Sequence, residues 1–255
     1  MMKRRSREHL LESHKKRSYN RWLFGIVAKR YNIVTYVLSF GRDSFWKKWL
    51  VSRIPVCDSP RVIDIASGNG DLAFALAKRY PDAIVACTDI TPAMLALGRS
   101  RHGPVRVAFS LQDMQHLAFR AGEADIVTGG YALRNAPDLE KTLHEVRRVL
   151  KAGGTAAFLD FSKPSVAVAA FVEYALLKFW GGLWGLLLHG RPEIYAYIAE
   201  SLRVFPDRPS LHALLARHGL PVTQSKLFFF GVMEAIVCTA AGPLSETRGT
   251  HPRNR

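Results

Sequence analysis

Between Val62 and Phe161 short apolar runs alternate with segments whose apolar residues recur three and four positions apart. Val62–Ala66, Ile84–Asp89, Val105–Ser110, Asp125–Thr128 and Thr155–Phe161 are bounded by turn residues and suit buried parallel strands. Between them, Leu72–Tyr80 reads as a helix ended by Pro81-Asp82, and Thr91–Arg101 as a helix capped by Thr91 with Pro92 at its first position. Asp138–Leu150 is a helix stopped by the glycines of KAGG. Pro221–Phe230 and Val232–Ala240 are two further strand-like runs joined at Gly231, which predicts a tight hairpin. The pattern predicts an α/β fold: a doubly wound seven-stranded sheet, mostly parallel, with right-handed crossovers and a C-terminal antiparallel hairpin.

Helices flank this frame. Tyr19–Phe40 carries apolar residues at helical spacing and predicts one or two amphipathic helices over the body of the fold, with another short helix at Ser44–Ile54. After Pro164 comes Val166–Leu188, apolar and aromatic-rich, interrupted by Glu173, Lys178 and Gly181-Gly182. Its length invites a membrane-spanning reading, but two charges and a diglycine argue against one. A lid, a channel for an apolar tail, a surface dipping into lipid and plain core packing all fit it. Glu193–Val204 and Ser210–Gly219 are further helices. The organisation expected is a basic flexible N-terminus over 1–20 and a single domain over 21–242. Within that domain 21–55 form a helical entry segment and 165–205 a helical lid, and a basic tail covers 243–255.

The 255 residues are 48% hydrophobic, enough for one sizeable core. Three separated cysteines without metal-type spacing point to a reducing compartment, and no apolar leader opens the chain. The net charge of +15 is concentrated at the termini, including Lys15, Lys16, Arg17 and Arg21. Such a terminus suits a solvated tail, an anionic lipid surface or nucleic acid. The last is disfavoured because few aromatics interleave the charges.

The chemistry gathers at the strand ends. Gly68-Asn69-Gly70 follows the first strand and precedes a helix, so the backbone can turn sharply and approach a ligand closely. Gly68-x-Gly70-x-x-Ala73 also fits a dinucleotide fingerprint. Asp89, with Ile90 beside it, ends the second strand where a carboxylate accepts ribose hydroxyls; the competing role is to cap the next helix, which Thr91 already offers to do. Asp113 follows the third strand and could accept an adenine amino proton while Met114 packs on the base. Carboxylates clustered there suit a sulfonium cofactor better than a pyrophosphate, favouring S-adenosylmethionine over a nicotinamide. Gly129 and Gly130 allow close approach after the fourth strand, with Tyr131 able to line a pocket. Arg134-Asn135 can hold a substrate oxygen and stabilise negative charge on it, or can form a helix-entry turn in which Arg134 meets a carboxylate.

With these residues in view, the chain resembles the ubiquinone/menaquinone biosynthesis C-methyltransferase family. The resemblance is carried by VIDIASGNGD, TDITPAMLALG, YALRNAPDLEKTLHEVRRVLKAGGTAAFLDFSKP, EIYAYIAESLRVFPD and GVMEAIV, and spans about Phe24 to Ala240. It implies a Rossmann-like class I methyltransferase that uses S-adenosyl-L-methionine. It places Asn69, Asp89, Asp113, Met114 and Gly130 at the cofactor, and Arg134, Asn135 and Tyr31 at the reacting end of the substrate. Tyr195 and Tyr197 match a late tyrosine helix that helps close the pocket. The chain departs from the family at four places. Asn69 stands where threonine is usual, Phe24-Gly25 and Tyr31-Asn32 stand where Phe-Asp and Tyr-Asp are usual, and Gly129-Gly130 is smaller than the usual pair.

The resemblance implies methyl transfer to a ring carbon of a demethylated, polyprenylated quinol. Alternatives are another phenolic or polyketide acceptor, or a non-catalytic subunit of a quinone-biosynthetic assembly. Arg134 is the candidate for stabilising the phenolate, and Asn135 for positioning the ring hydroxyl. No histidine or carboxylate stands out as base, and a water relayed through Arg134 and Tyr31 is one route for the proton. No metal is expected. The partners expected are the quinol or other phenolic small molecule, a membrane surface met peripherally by a cytoplasmic protein, and a second copy in a homodimer, with nucleic acid disfavoured.

Overall fold

The alternating apolar runs form one sheet of seven strands in a computed structural model that describes residues 13–101 and 106–242. The strands are β1 (Arg61–Ile65), β2 (Ile84–Asp89), β3 (Val107–Leu111), β4 (Ala124–Gly130), β5 (Leu150–Phe161), β6 (Val222–Phe228) and β7 (Met233–Thr239). Their order across the sheet is β3-β2-β1-β4-β5-β7-β6. The first five run parallel, while β7 lies antiparallel between β5 and β6, with Thr155 opposite Thr239 and Phe161 opposite Met233. The order reverses at β1, whose neighbours are β2 and β4, so a crevice opens beyond its C-terminal end.

The helices are α1 (Ser13–Val27), α2 (Tyr31–Leu38), α3 (Asp43–Arg53), α4 (Asp71–Arg79), α5 (Pro92–Arg99), α6 (Leu139–Val149), α7 (Ala167–His189), α8 (Glu193–Val204) and α9 (Arg208–Arg217). Side chains alternate across the sheet, so β1 sends Val62 to one face and Ile63 and Ile65 to the other. On the first face Leu50 of α3 and Leu76 of α4 cover Val62, Val85 and Leu159. On the second, Leu143 and Val146 of α6 and Leu215 of α9 cover Ile63, Val127 and Phe158. Each such fully buried side chain contributes roughly 1.5–3 kcal/mol. Asp138 and Asp207 cap α6 and α9 by accepting the N–H groups of Lys141 and Ser210.

Several boundaries differ from the sequence reading. The closing hairpin is not a tight turn at Gly231. Phe229, Phe230 and Gly231 all take positive φ (51°, 56° and 93°), and this left-handed link leaves Phe230 fully exposed. The glycines of KAGG do not separate α6 from the strand: β5 begins at Leu150, and Gly153 and Gly154 lie within it beside a register shift against β4. Thr91 does not cap α5 with its side chain; its backbone N–H is instead accepted by Asp89. Val105 lies outside the described residues.

The basic N-terminal stretch is also corrected where it is described. α1 runs from Ser13 into the body of the fold, and Lys16 and Asn20 are buried. Their side chains find backbone carbonyls to bond, which is what lets polar residues lie under a helix. α7 is one unbroken helix of 23 residues. Gly181 and Gly185 do not break it; they let α8 run back along it. A Cβ on Gly181 would lie 2.5 Å from the Tyr195 carbonyl oxygen, and one on Gly185 2.6 Å from that of Arg191.

Candidate active site

The loop after β1 is shaped by left-handed backbone: Ala66, Gly68 and Gly70 have φ of 46°, 57° and 79°. This turn sends the Gly68 N–H to Asp89 Oδ2 at 2.9 Å, while Asp89 Oδ1 accepts the Thr91 N–H at 2.8 Å. The Asp89 carboxylate thus ties the loop to the start of α5. Burial raises its pKa and these donors oppose the rise. A Cβ on Gly68 would lie 2.9 Å from Met94 Cε, so glycine is what keeps this wall thin. Beneath, Asp64 is 1% exposed and accepts the Thr128 hydroxyl at 2.7 Å.

After β3, Asp113 Oδ1 accepts the Gln115 N–H at 3.0 Å, and Oδ2 pairs with Arg17 of α1 at 2.5 Å. After β4 the chain turns through Tyr131 (φ 58°), whose hydroxyl donates to Asp43 at 2.6 Å. Arg134 and Asn135 follow, both buried. The Arg134 backbone N–H donates to Asp160 Oδ2 at 3.0 Å, its Nη1 donates to Ser201 Oγ at 2.6 Å, and its guanidinium lies 4.9 Å from the Phe161 ring centre. The carboxylate that Arg134 meets is thus the buried Asp160 rather than one at the surface, and the same guanidinium lines a cavity. Burial raises Asp160, and the adjacent guanidinium opposes it.

α1 fastens this turn from above. Lys16 Nζ donates to the carbonyls of Arg134 (3.0 Å) and Ala136 (2.7 Å), and Asn20 Nδ2 to that of Asn135 (2.7 Å). Burial, with Arg134 nearby, lowers Lys16 to about 8. The Tyr197 hydroxyl closes the set by donating to Asn20 Oδ1 at 2.7 Å.

Two cavities meet here. A cleft of about 60 Å³ is lined by Gly68, Asp89, Ile90, Asp113, Met114 and Gly130 among others. A chamber of about 670 Å³, overwhelmingly apolar, extends from it under α7 and α8. Phe24, Tyr31, Tyr131 and Asn135 line both. Arg134, Tyr195 and Tyr197 line the chamber. Asn69 and Gly70 line neither: the Asn69 side chain bonds Asn32, and Gly70 packs on Phe74 and Phe109 while starting α4. Three contributors were not singled out by sequence. Arg17 was hidden in a charge run, Met94 in an ordinary helix, and Glu173 in an apolar stretch. Glu173 alone carried a signal, as an acid placed where the neighbouring positions are apolar.

The cleft suits S-adenosylmethionine by its own chemistry. It offers a carboxylate fixed by two N–H groups, a glycine wall that a Cβ would fill, and Asn135 Oδ1, a buried acceptor without a partner.

Solved structures share the architecture. A chain from the complex between the Haloferax volcanii Trm112 methyltransferase activator and a methyltransferase matches with a TM-score of 0.64 at 17% identity. That match covers 86% of this chain and 97% of that one. A SAM-dependent methyltransferase from Aquifex aeolicus matches with a TM-score of 0.55 at 14% identity, over 76% and 89%. These likenesses show a Rossmann-like fold, and the family comparison defines the class: an S-adenosylmethionine-dependent methyltransferase. Within that class the chain belongs to the ubiE/COQ5 methyltransferase family, whose model matches residues 12–240. It is 33% identical to the ubiquinone/menaquinone biosynthesis C-methyltransferase UbiE of Ralstonia pickettii, over 86% of this chain and 90% of that protein. It is 35% identical to the demethylmenaquinone methyltransferase of Thermus thermophilus, over 82% and 96%.

Proposed function

We propose that the protein methylates a ring carbon of a demethylated polyprenyl quinol. The observation that carries this reading is the shared wall of Phe24, Tyr31, Tyr131 and Asn135, which joins a polar cleft to an apolar chamber of about 670 Å³. A polar methyl donor and a hydrophobic acceptor need such neighbouring compartments, meeting where the reacting atoms align.

Asp89 would hold the ribose, Gly68 and Gly130 would let the backbone approach the donor, and Ile90 and Met114 would pack on the base. Asp113 would meet the adenine amino group at the point where Arg17 now pairs with it. S-adenosylmethionine, when bound, supplies a methyl group already activated on a sulfonium. The protein's own work is then to orient the ring, exclude water and stabilise a phenolate. Arg134 supplies the positive charge, preset by Ser201 and Asp160, and Asn135 offers its free Oδ1 to a ring hydroxyl.

The chamber opens through an apolar rim. Phe40, Leu176, Phe179, Phe229 and Phe230 line it and are also exposed, with Phe40 stacked between Trp180 and Phe229. We infer that this rim meets a membrane surface, where a polyprenyl tail can pass from lipid into the chamber. The test is incubation of the protein with S-adenosylmethionine and a panel of demethylated quinols and simple phenols, followed by product mass. The expected result is a single added methyl on tailed quinols. Methylation confined to untailed phenols would overturn the reading.

A further inference from the structure

Glu173 is the exception among the α7 residues that face the chamber, where its companions are Leu176, Leu177, Phe179, Trp180 and Gly181. It is 6% exposed, and neither carboxylate oxygen has a hydrogen-bond partner. A carboxyl group buried without partners is costly unless it gives up its charge. Burial accordingly pushes Glu173 up to about 8, with Lys163 pulling the other way. Lys163 does not bond it, since its ammonium donates to the carbonyls of Arg203 and Phe205. Elsewhere on α7 and α8, Lys178 and Tyr174 both bond Glu200 with Arg203 beside them, and Glu193 lies in the first turn of α8.

The titratable groups among the described residues that line the chamber are Tyr31, Tyr131, Arg134, Glu173, Tyr195 and Tyr197. Burial pushes all four tyrosines upward, so each holds its proton at neutral pH. Arg134 is a guanidinium, which donates hydrogen bonds and accepts none. Glu173 is left as the group that can take one. A carboxylate that ionises near neutral pH is well matched to a phenolic hydroxyl, since proton transfer is most effective when the base titrates close to the working pH.

The geometry points to Glu173 as the general base that removes the quinol hydroxyl proton, an inference that rests on the quinol reading above. The O–H bond breaks, the proton passes to the carboxylate, and the electron pair spreads from oxygen onto the ortho ring carbon. That carbon bonds the methyl group as the methyl–sulfur bond breaks, and sulfur keeps the pair. The ring carbon then loses its hydrogen as a proton to water, and the oxygen takes its proton back from Glu173. One proton is released in all, and no oxidant or metal is required. Arg134, the one cation among the described residues lining the chamber, supplies the opposite charge while the phenolate exists.

Glu173→Gln preserves size and removes the base. With S-adenosylmethionine and a demethylated quinol, the unsubstituted protein should show kcat rising with pH through about 8 and then levelling. The Gln variant should lose about a hundred-fold or more in kcat, lose that rise, and bind S-adenosylmethionine as before. Glu173→Asp, which keeps a carboxylate, should retain part of the turnover and the rise. Thermal melts add a readout apart from turnover. The folded state holds the Glu173 proton up to about pH 8, whereas the unfolded chain releases it near 4.3. The Gln variant should therefore gain stability relative to the unsubstituted protein as pH rises between those values. A Gln variant with full kcat and an unchanged pH profile would overturn the assignment, whatever its melting behaviour. If the unsubstituted protein methylates no quinol, the functional reading fails and the base falls with it. If it does and the Gln variant matches it, only the base falls.

Discussion

Asn69 Nδ2 donates to Asn32 Oδ1 at 3.0 Å, joining the glycine loop to the first turn of α2. These are two of the positions where the chain departs from the residues usual in its family, and they touch one another. Their side-chain amides thus form a tether between the loop after β1 and the entry helix. Asn32→Ala and Asn69→Ala should each cost about 1 kcal/mol, with a coupling of about 0.5–1.5 kcal/mol in a double-mutant cycle read by urea unfolding. Additive effects would mean that the tether carries no energy.

Gly68 combines a left-handed φ of 57° with a Cβ position 2.9 Å from Met94 Cε. Gly68→Ala should leave the protein folded and weaken S-adenosylmethionine at least ten-fold in calorimetry, because the wall of the cleft thickens. A Met94→Ala background separates two causes. Relief of the clash should restore part of the affinity, and the left-handed strain, about 1–2 kcal/mol, should remain.

The frame of the fold was legible because it is written locally. Apolar strands, the Pro92 helix start and the glycine loop depend on neighbours within a few residues. Asp89 was legible for the same reason, lying at a strand end beside the loop that it bonds. The placement of α1 was not, because Lys16, Arg17 and Asn20 find their partners about a hundred positions away. Nothing in a run of basic residues distinguishes a lysine that will be buried on carbonyls from one left in water. Gly181, read with Gly182 as an interruption, is a similar case: a glycine inside a helix reads as a weak point until the second helix that needs its space is known.

Arg134 is the chamber's cation and also the partner of Asp160, which is 1% exposed. The two roles separate by substitution. Arg134→Ala leaves that carboxylate buried and uncompensated and should destabilise by about 3–5 kcal/mol. Arg134→Lys keeps the charge but loses the planar fork that reaches Ser201. The Lys variant should fold, bind S-adenosylmethionine normally and lose about a hundred-fold in kcat. Full turnover by the Lys variant would confine the guanidinium to a structural role.

The apolar rim predicts where lipid contact is made. Phe179 is 72% exposed, and Phe230, at the tip of the β6–β7 link, is fully exposed. In a flotation assay with anionic liposomes the unsubstituted protein should rise with the vesicles, and the Phe179→Glu/Phe230→Glu variant should stay in the dense fraction. Both should bind S-adenosylmethionine alike in calorimetry, since neither residue lines the polar cleft. Equal flotation of the two proteins would place the contact elsewhere on the surface.

Asp64 gives a pH dependence that concerns stability and can be isolated from the rest. Its carboxyl lies under the glycine loop with one oxygen bonded to Thr128 and the other without a partner. Burial pushes it up to about 7, and the Thr128 hydroxyl and the Lys47 ammonium oppose the rise. In the unfolded chain the same group releases its proton near 3.9. Between those values the folded state binds the proton and the unfolded state does not, so this contribution to stability is complete below about pH 4 and is lost as pH climbs through 7. Asp64→Asn resembles the protonated acid at every pH and lacks this slope. The melting temperature of the Asn variant, minus that of the unsubstituted protein, should therefore increase from pH 5 to pH 8. Because both proteins contain Glu173, its own slope cancels in that difference. A difference that stays flat would show that Asp64 is ionised throughout, held by Lys47 more strongly than burial opposes it.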